Sequence, residues 1–75
     1  MAKAPKNPLK DLEGLRRSLG ENQATFWGRF GVTQSGGSRY ESGRTVPLPT
    51  AMLVAAYAQG LLDDEALKSL RKLVK

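Results

Sequence analysis

Apolar residues recur along the chain at helical spacing. Four leucines near its start are separated by three or four residues, which places them on one face of a helix: Leu9, Leu12, Leu15 and Leu19. Pro8 suits the first turn of this helix, because its fixed φ angle fits a helix and its missing N–H would have no partner there. Gly20 suits the end of the helix. Residues 1–7 are polar and lack this period, so we expect a flexible basic arm before a helical domain over residues 8–75.

Two short helices are predicted in the middle of the chain. Asn22 is a good N-cap for the first, and Gly31 is a good terminator for it. This helix carries three aromatic residues: Phe26, Trp27 and Phe30. Thr33 is the N-cap candidate of the next helix, which we expect to extend to about Glu41. That second helix contains Ser-Gly-Gly-Ser, a composition typical of flexible linkers, and its two glycines disfavour a helix by about 2 kcal/mol relative to alanine.

Two further helices complete the prediction. Thr50 is the expected N-cap of the apolar run that ends near Gly60, and Asp63 is the expected N-cap of the last helix. The last helix carries three leucines at helical spacing, which we expect in the core, although with Val74 they also suit a dimer interface: Leu67, Leu70 and Leu73. No segment shows the alternation of a strand. The predicted fold class is all-α, with five helices in one compact domain.

Composition removes several classes of function. The chain of 75 residues contains no cysteine and no histidine, so thiolate zinc sites, disulfides and histidine bases are excluded. No carboxylate pair, phosphate-binding loop or nucleophile constellation is present, so we predict neither an enzyme nor a cofactor or metal site. The start of the chain lacks the apolar run of a signal peptide, and no apolar stretch is long enough to span a bilayer. We therefore expect a cytoplasmic protein without membrane contact.

Net charge indicates an anionic partner. Twelve basic residues against seven acidic ones give a formal charge of +5 at pH 7. Nucleic acid is the first candidate for this partner, and a membrane surface is the second. The acidic residues Asp63, Asp64 and Glu65 stand together, where they favour the start of a helix.

The two middle helices have the spacing of a helix-turn-helix unit over residues 22–42. Residues 22–47 read NQATFWGRFGVTQSGGSRYESGRTVP, with Gln23 opening the first helix and Gly31-Val32 forming the turn. With Thr33 as the cap of the second helix and the ending RYESGR, this stretch resembles the helix-turn-helix of the phage repressor and Cro family, also called the xenobiotic-response-element-like family. The likeness covers residues 12–47 well and the last two helices in outline.

The resemblance implies a division of labour among polar side chains on DNA. In the family, the second helix docks in the major groove and its first residues reach base edges. The residues at the matching base-reading positions are Gln34, Ser35, Ser38 and Arg39. The residues at positions that hold the DNA backbone are Asn22, Gln23, Thr33, Ser42 and Arg44. Gln23 also matches the residue that braces the glutamine of the next helix. For each of these residues the alternative is an ordinary solvated side chain.

Four other residues match structural positions of the family. Arg16 and Glu41 correspond to an arginine of the first helix and a glutamate after the recognition helix, which often pair. Trp27 stands where the family usually has a small alanine, and Gly37 stands where it usually has a branched aliphatic residue. These two positions face each other, so the exchange keeps the shared volume nearly constant. The alternatives are two unpaired surface charges, and a Trp27 that points elsewhere beside a weak Gly37.

The implied function is that of a sequence-specific regulator that binds double-stranded DNA, from a bacterium or a phage. The family usually reads two half-sites as a two-fold dimer, so we expect a homodimer, at least on DNA, with residues 61–75 at the interface. A DNA-binding antitoxin, with a toxin as partner, is the nearest alternative. A protein- or RNA-interaction module on the same fold is the alternative from another class.

Overall fold

The computed structural model describes residues 8–74, which form a 3₁₀ turn and five α-helices with no strand. The turn spans Pro8–Asp11, and the helices are α1 (Leu12–Ser18), α2 (Gln23–Gly28), α3 (Gln34–Glu41), α4 (Leu48–Ala58) and α5 (Asp64–Leu73). The predicted all-α class with five helices is confirmed. The predicted arm and Lys75 lie outside the described residues. Within residues 8–74, no helix has the length and the apolar character that crossing a membrane requires.

Side-chain caps begin four of the helices. The predicted caps Asn22, Thr33 and Asp63 accept hydrogen bonds from backbone N–H groups three residues later, at 2.8, 3.0 and 2.8 Å. Asp11 caps α1 in the same way, so the first α-helix begins one turn later than Pro8. The prediction that Thr50 caps α4 is wrong. That helix begins at Leu48, after Pro47 and three residues earlier than predicted, because a proline in the first helical turn loses no hydrogen bond.

The turn between α2 and α3 depends on Gly31. Its φ angle is +81°, in the left-handed region that glycine adopts without a steric penalty. The backbone N–H groups of Gly31 and Val32 donate to Gly28 and Trp27 and close the end of α2. The chain therefore reverses within a few residues and starts α3 against the face of α2.

An aromatic core lies beneath α2 and α3. Four residues form its buried centre: Leu12, Phe26, Trp27 and Val54. The rings of Phe26 and Trp27 meet edge-on, with centroids 5.1 Å apart, and Phe30 meets Tyr57 edge-on at 5.7 Å. Such edge-to-face pairs add about 0.5–1.5 kcal/mol each to the stabilisation from burial. The single tryptophan of the chain is fully buried and forms the middle of this core.

Burial decreases along α5. Leu67 is buried, but Leu70 is 44% exposed and Leu73 and Val74 are 79% and 82% exposed. The expectation that Leu70 and Leu73 belong to the core is therefore wrong. The first half of α5 packs more closely against the domain than the second half. There, Arg71 still donates to the backbone oxygen of Gly28 at 3.3 Å, but Leu73 remains in solvent.

Arg29 ties α2 to α5. Its guanidinium donates two hydrogen bonds to Glu21, at 2.6 and 2.7 Å, and its Nε donates to Asp64 at 2.8 Å. The same group lies over the ring of Tyr57, 4.6 Å from the centroid. The hydrogen bonds to Glu21 are the largest cause that raises the pKa of Arg29 further above its ordinary value. Arg29 thus acts as a structural cation, and its charge is neutralised within the domain.

Candidate nucleic-acid interface

Helices α2 and α3 pack through Trp27 and Gly37. Gly37 is buried, and a Cβ atom placed on it would overlap Cδ1, Cγ and Nε1 of the Trp27 indole. The indole therefore lies directly on the backbone of α3. The space that a side chain of α3 would occupy is filled by Trp27, as the exchange of large and small residues predicted. The glycine that weakens the isolated helix is required for its contact with α2.

The carboxylate of Glu41, at the end of α3, accepts hydrogen bonds from side chains of α1 and α2. Arg16 donates to it twice, from Nε to Oε2 at 2.8 Å and from Nη2 to Oε1 at 3.0 Å. Trp27 Nε1 donates to Oε2 at 2.8 Å, and Gln23 Nε2 donates to Oε1 at 3.1 Å. Arg16 also donates to the backbone oxygen of Glu21 at 2.9 Å. The predicted pair of Arg16 and Glu41 is thus one part of a larger network.

This network keeps Glu41 ionised. Its side chain is only 5% exposed, and burial alone would raise the pKa of the carboxyl group. The hydrogen bonds from Arg16, Trp27 and Gln23 and the positive charge of Arg16 outweigh the burial and lower the pKa of Glu41 to about 2. In turn, the hydrogen bonds to Glu41 raise the pKa of Arg16. At neutral pH, α3 therefore ends in a fixed negative charge whose hydrogen-bond partners all lie on other helices.

Gln23 joins this network to the outer face of α3. Its amide nitrogen donates to Glu41, and its Oε1 accepts a hydrogen bond from Gln34 Nε2 at 2.5 Å. Gln34 is the first residue of α3 and is exposed. The structure thus brings together the two glutamines that the resemblance paired. The first side chain of α3 is thus hydrogen-bonded to a side chain of α2 before any partner is present.

The other predicted base-reading residues line the outer face of α3. Ser35 and Arg39 are exposed and Ser38 is half-buried. Within the described residues Arg39 takes part in no ion pair, in contrast to Arg16 and Arg29. The helix thus presents an amide, hydroxyl groups and a free guanidinium to solvent, all of which are groups that hydrogen-bond to base edges.

The predicted backbone-binding residues lie at the ends of α2 and α3. Asn22 and Thr33 cap these helices with their side-chain oxygens, and both remain exposed. Ser42 donates its hydroxyl to the backbone oxygen of Ser38 at 3.0 Å, and Arg44 is exposed in the following loop. Helix starts and loops of this kind offer N–H groups and cations to phosphates.

Sequence reasoning missed two structural roles. The hydrogen bond from Trp27 to Glu41 joins residues 14 positions apart, and no local pattern reveals it. The ion pairs of Arg29 with Glu21 and Asp64 were not predicted either. Glu21 lies before the start of α2 and Arg29 just after its end, so helical spacing does not reveal their contact. Within residues 8–74, no cluster of three or more His, Cys, Asp or Glu side chains is placed to hold a metal ion.

Comparison with known proteins places this geometry in a family. The family profile of the RsaL-like HTH domain matches residues 13–57. A solved structure of the quorum-sensing repressor RsaL in Pseudomonas aeruginosa is similar to the chain, with 40% sequence identity and a TM-score of 0.76. The similarity covers 89% of this chain and 98% of that one. No curated protein sequence matched the chain.

The profile covers the elements that carry the candidate interface, from α1 to the end of α4. The helix-turn-helix relationship predicted from the sequence is confirmed, while the narrower likeness to phage repressor and Cro proteins stays a prediction. The chain belongs to the RsaL-like family of helix-turn-helix DNA-binding regulators.

Proposed function

We propose that the protein is a sequence-specific repressor that docks α3 in the major groove of double-stranded DNA and thereby blocks transcription in the bacterial cytoplasm. One observation carries this proposal: an exposed polar face on a short helix that a buried carboxylate network holds in place. A helix prepared in this way can meet base edges without a large ordering cost. The similarity to a quorum-sensing repressor supports repression rather than activation.

In this proposal two groups of side chains have different tasks. Gln34 and Arg39, assisted by Ser35 and Ser38, read bases, because they project from the first two turns of α3. The residues at helix starts and in the next loop contact phosphates, which positions the protein without selecting a sequence: Asn22, Gln23, Thr33, Ser42 and Arg44. Docking would follow the repressor and Cro pattern, in which the start of the second helix enters the groove.

The protein would bind as a homodimer through α5. Leu61, Leu70, Leu73 and Val74 expose apolar surface at the end of the domain that is not predicted to meet DNA. Helix α5 begins with Asp64 and Glu65 and ends with Arg71 and Lys72. Two copies related by a two-fold axis would pair these ends in antiparallel fashion, so that acidic and basic turns meet while the leucines are covered. The two α3 helices would then lie roughly 34 Å apart, one turn of duplex.

Substitutions on α3 and in the following loop test the proposal. The operator is first selected from a random duplex pool, and binding is then measured on the selected site and on a scrambled duplex at several salt concentrations. We expect Gln34→Ala to cost about 1–3 kcal/mol on the selected site and little on the scrambled one. We expect Arg44→Ala to weaken binding to both duplexes and to lower the salt slope by about one unit.

Three outcomes would contradict parts of the proposal. If selection from the pool enriched no sequence, the proposal of a sequence-specific repressor would be contradicted. Equal losses from Gln34→Ala on both duplexes would mean that Gln34 does not read bases. One protein chain per duplex at saturation would remove the homodimer. In that case the apolar end of α5 would be assigned to a toxin or another protein partner, as in an antitoxin.

A further inference from the structure

The amide of Gln34 has a defined direction in the structure. Gln34 Nε2 donates to Gln23 Oε1, and Gln23 Nε2 donates to Glu41 Oε1 at 3.1 Å. An amide group has one donating end and one accepting end, whereas an ionised carboxylate only accepts. The carboxylate therefore sets the direction of the Gln23 amide, and Gln23 sets the direction of the Gln34 amide.

The acceptor at the buried end of this series of hydrogen bonds is the Glu41 carboxylate, which several donors hold in place. Arg16 and Trp27 occupy Oε2 of Glu41 at 2.8 Å each, so Oε1 is left to Arg16 Nη2 and Gln23. Every partner of the carboxylate is a donor, and its side chain is almost fully buried. Reversal of the Gln23 amide would point a carbonyl oxygen at a carboxylate, which is repulsive. The negative charge of Glu41 thus determines which end of each glutamine amide donates and which accepts.

The direction determines what Gln34 presents to a duplex. One of the two Nε2 hydrogens is used by Gln23, so one N–H and the oxygen Oε1 remain. One donor beside one acceptor complements N7 and N6 of adenine in the major groove. Guanine offers two acceptors there, N7 and O6, and would require two donors. A reversed Gln34 would present both of its N–H groups and would suit guanine.

We propose that Glu41 is a positioning residue for sequence choice: acting through Gln23, it orients Gln34 to select adenine over guanine. The proposal rests on the proposed function, since it concerns how the same helix reads bases. It assigns to the buried carboxylate a role beyond holding helices together.

Glu41→Gln tests the mechanism, because this substitution keeps the shape and removes the charge. The new amide can keep its oxygen on Trp27 Nε1 and Arg16 Nε and donate from its nitrogen to Gln23, which reverses both glutamines. The hydrogen bond from Arg16 Nη2 is lost in this arrangement. The position that Gln34 reads is the operator position at which Gln34→Ala loses its preference. There the wild-type protein should favour adenine over guanine by about 5- to 150-fold. Glu41→Gln should lower this ratio to about threefold or less, or invert it.

Gln23→Met is the second variant, because it removes the connecting amide at a partly exposed site without touching the buried pair. It should lower the adenine-to-guanine ratio as Glu41→Gln does. In the Gln23→Met background, Glu41→Gln should change the ratio no further, since the connection is already broken. If Gln23 and Glu41 were purely structural supports, their loss would weaken binding equally to the operators with adenine and with guanine at this position. The adenine-to-guanine ratio would then stay unchanged.

The results separate this inference from the proposed function. Should the wild-type protein select no operator, the proposed function fails. Should Gln34→Ala abolish the preference while Glu41→Gln and Gln23→Met both retain the wild-type ratio, this inference is overturned and the proposed function stands. If thermal melts show that Glu41→Gln does not fold, Gln23→Met alone decides, and an unchanged ratio in that variant overturns the inference.

Discussion

The two ends of this small domain are built in opposite ways. In the helix-turn-helix end, the carboxylate of Glu41 accepts four hydrogen bonds from α1 and α2. The core of this end is filled by a fully buried tryptophan. The α5 end keeps one leucine inside, leaves Leu70 partly exposed and leaves Leu73 and Val74 largely exposed. A chain of this length has little apolar surface to bury, so leucines left in solvent forgo stabilisation that the domain could gain by burying them. The first end satisfies its buried groups within the chain, whereas the second leaves apolar side chains in solvent.

The largest effect on stability is expected from the titration of Glu41 in the helix-turn-helix end. Glu41 has a pKa of about 2 in the folded protein, against an ordinary value of 4.5. A lowered folded-state pKa contributes stability that is present above the ordinary value and is lost as the pH falls towards the folded value. We therefore expect the free energy of unfolding to fall by about 3 kcal/mol between pH 5 and pH 2 through this group. Denaturant unfolding across this range measures the loss.

Glu41→Ala is the control for the titration. It should be less stable than the wild type at pH 6, because the buried Arg16 loses its partner. The part of the acid loss that Glu41 causes should be missing in the variant. Parallel pH profiles for the two proteins would show that other carboxylates carry the acid sensitivity.

An added methyl group at Gly37 should have the next largest effect. A Cβ atom there overlaps the Trp27 indole, so Gly37→Ala should lower the free energy of unfolding by about 1–3 kcal/mol despite the better helix propensity of alanine. Gly28 is a matched control, because it lies in α2 with open space around its missing Cβ. Gly28→Ala should raise stability by up to about 1 kcal/mol. Thermal melts of the two variants should therefore shift in opposite directions, and a stabilising Gly37→Ala would refute the account of Trp27.

The smallest effect on stability is expected from Leu73→Lys. The same substitution tests most directly whether the α5 end forms the proposed dimer contact. The side chain is exposed in the monomer, so the free energy of unfolding of the dilute monomer should change by no more than about 0.5 kcal/mol. Dimer formation on an operator duplex should be lost, because the substitution places charge in the proposed contact. Leu48→Lys adds the same charge to an exposed leucine of α4 and should keep the dimer. Sedimentation of both variants with DNA checks this, and equal behaviour would place the contact elsewhere.

The helix-turn-helix end was largely predictable from the sequence, because its signals are local or belong to a shared pattern. Asn22, Thr33 and Gly31 mark helix boundaries within a few residues of themselves, and the resemblance paired Arg16 with Glu41. The hydrogen bond from Trp27 to Glu41 was not predictable in this way, since it depends on how closely two helices approach. That approach is set by Gly37, whose effect appears only after packing.

The α5 end was predicted less well for a related reason. Helical spacing shows that Leu67, Leu70 and Leu73 share a stripe, but it does not show how far along the helix the neighbouring surface extends. The stripe is buried at its start and exposed at its end. Similarly, Arg29 meets Asp64 across 35 residues, and no periodicity connects them. Proline at position 49 moved the start of α4 ahead of Thr50, because propensity at the first turn outweighed a capping side chain.

The contact between Trp27 and Gly37 also constrains the order in which such a sequence can evolve. An ancestor with the common pattern would have a small residue on α2 and a branched side chain on α3. If tryptophan arose first, it would collide with that side chain, since even a Cβ atom overlaps the indole. If glycine arose first, it would leave only a cavity, which a domain can survive at a cost of a few kcal/mol. A glycine at position 37 is therefore a condition for tryptophan at position 27, and substitution of Gly37 is disfavoured as long as Trp27 stays.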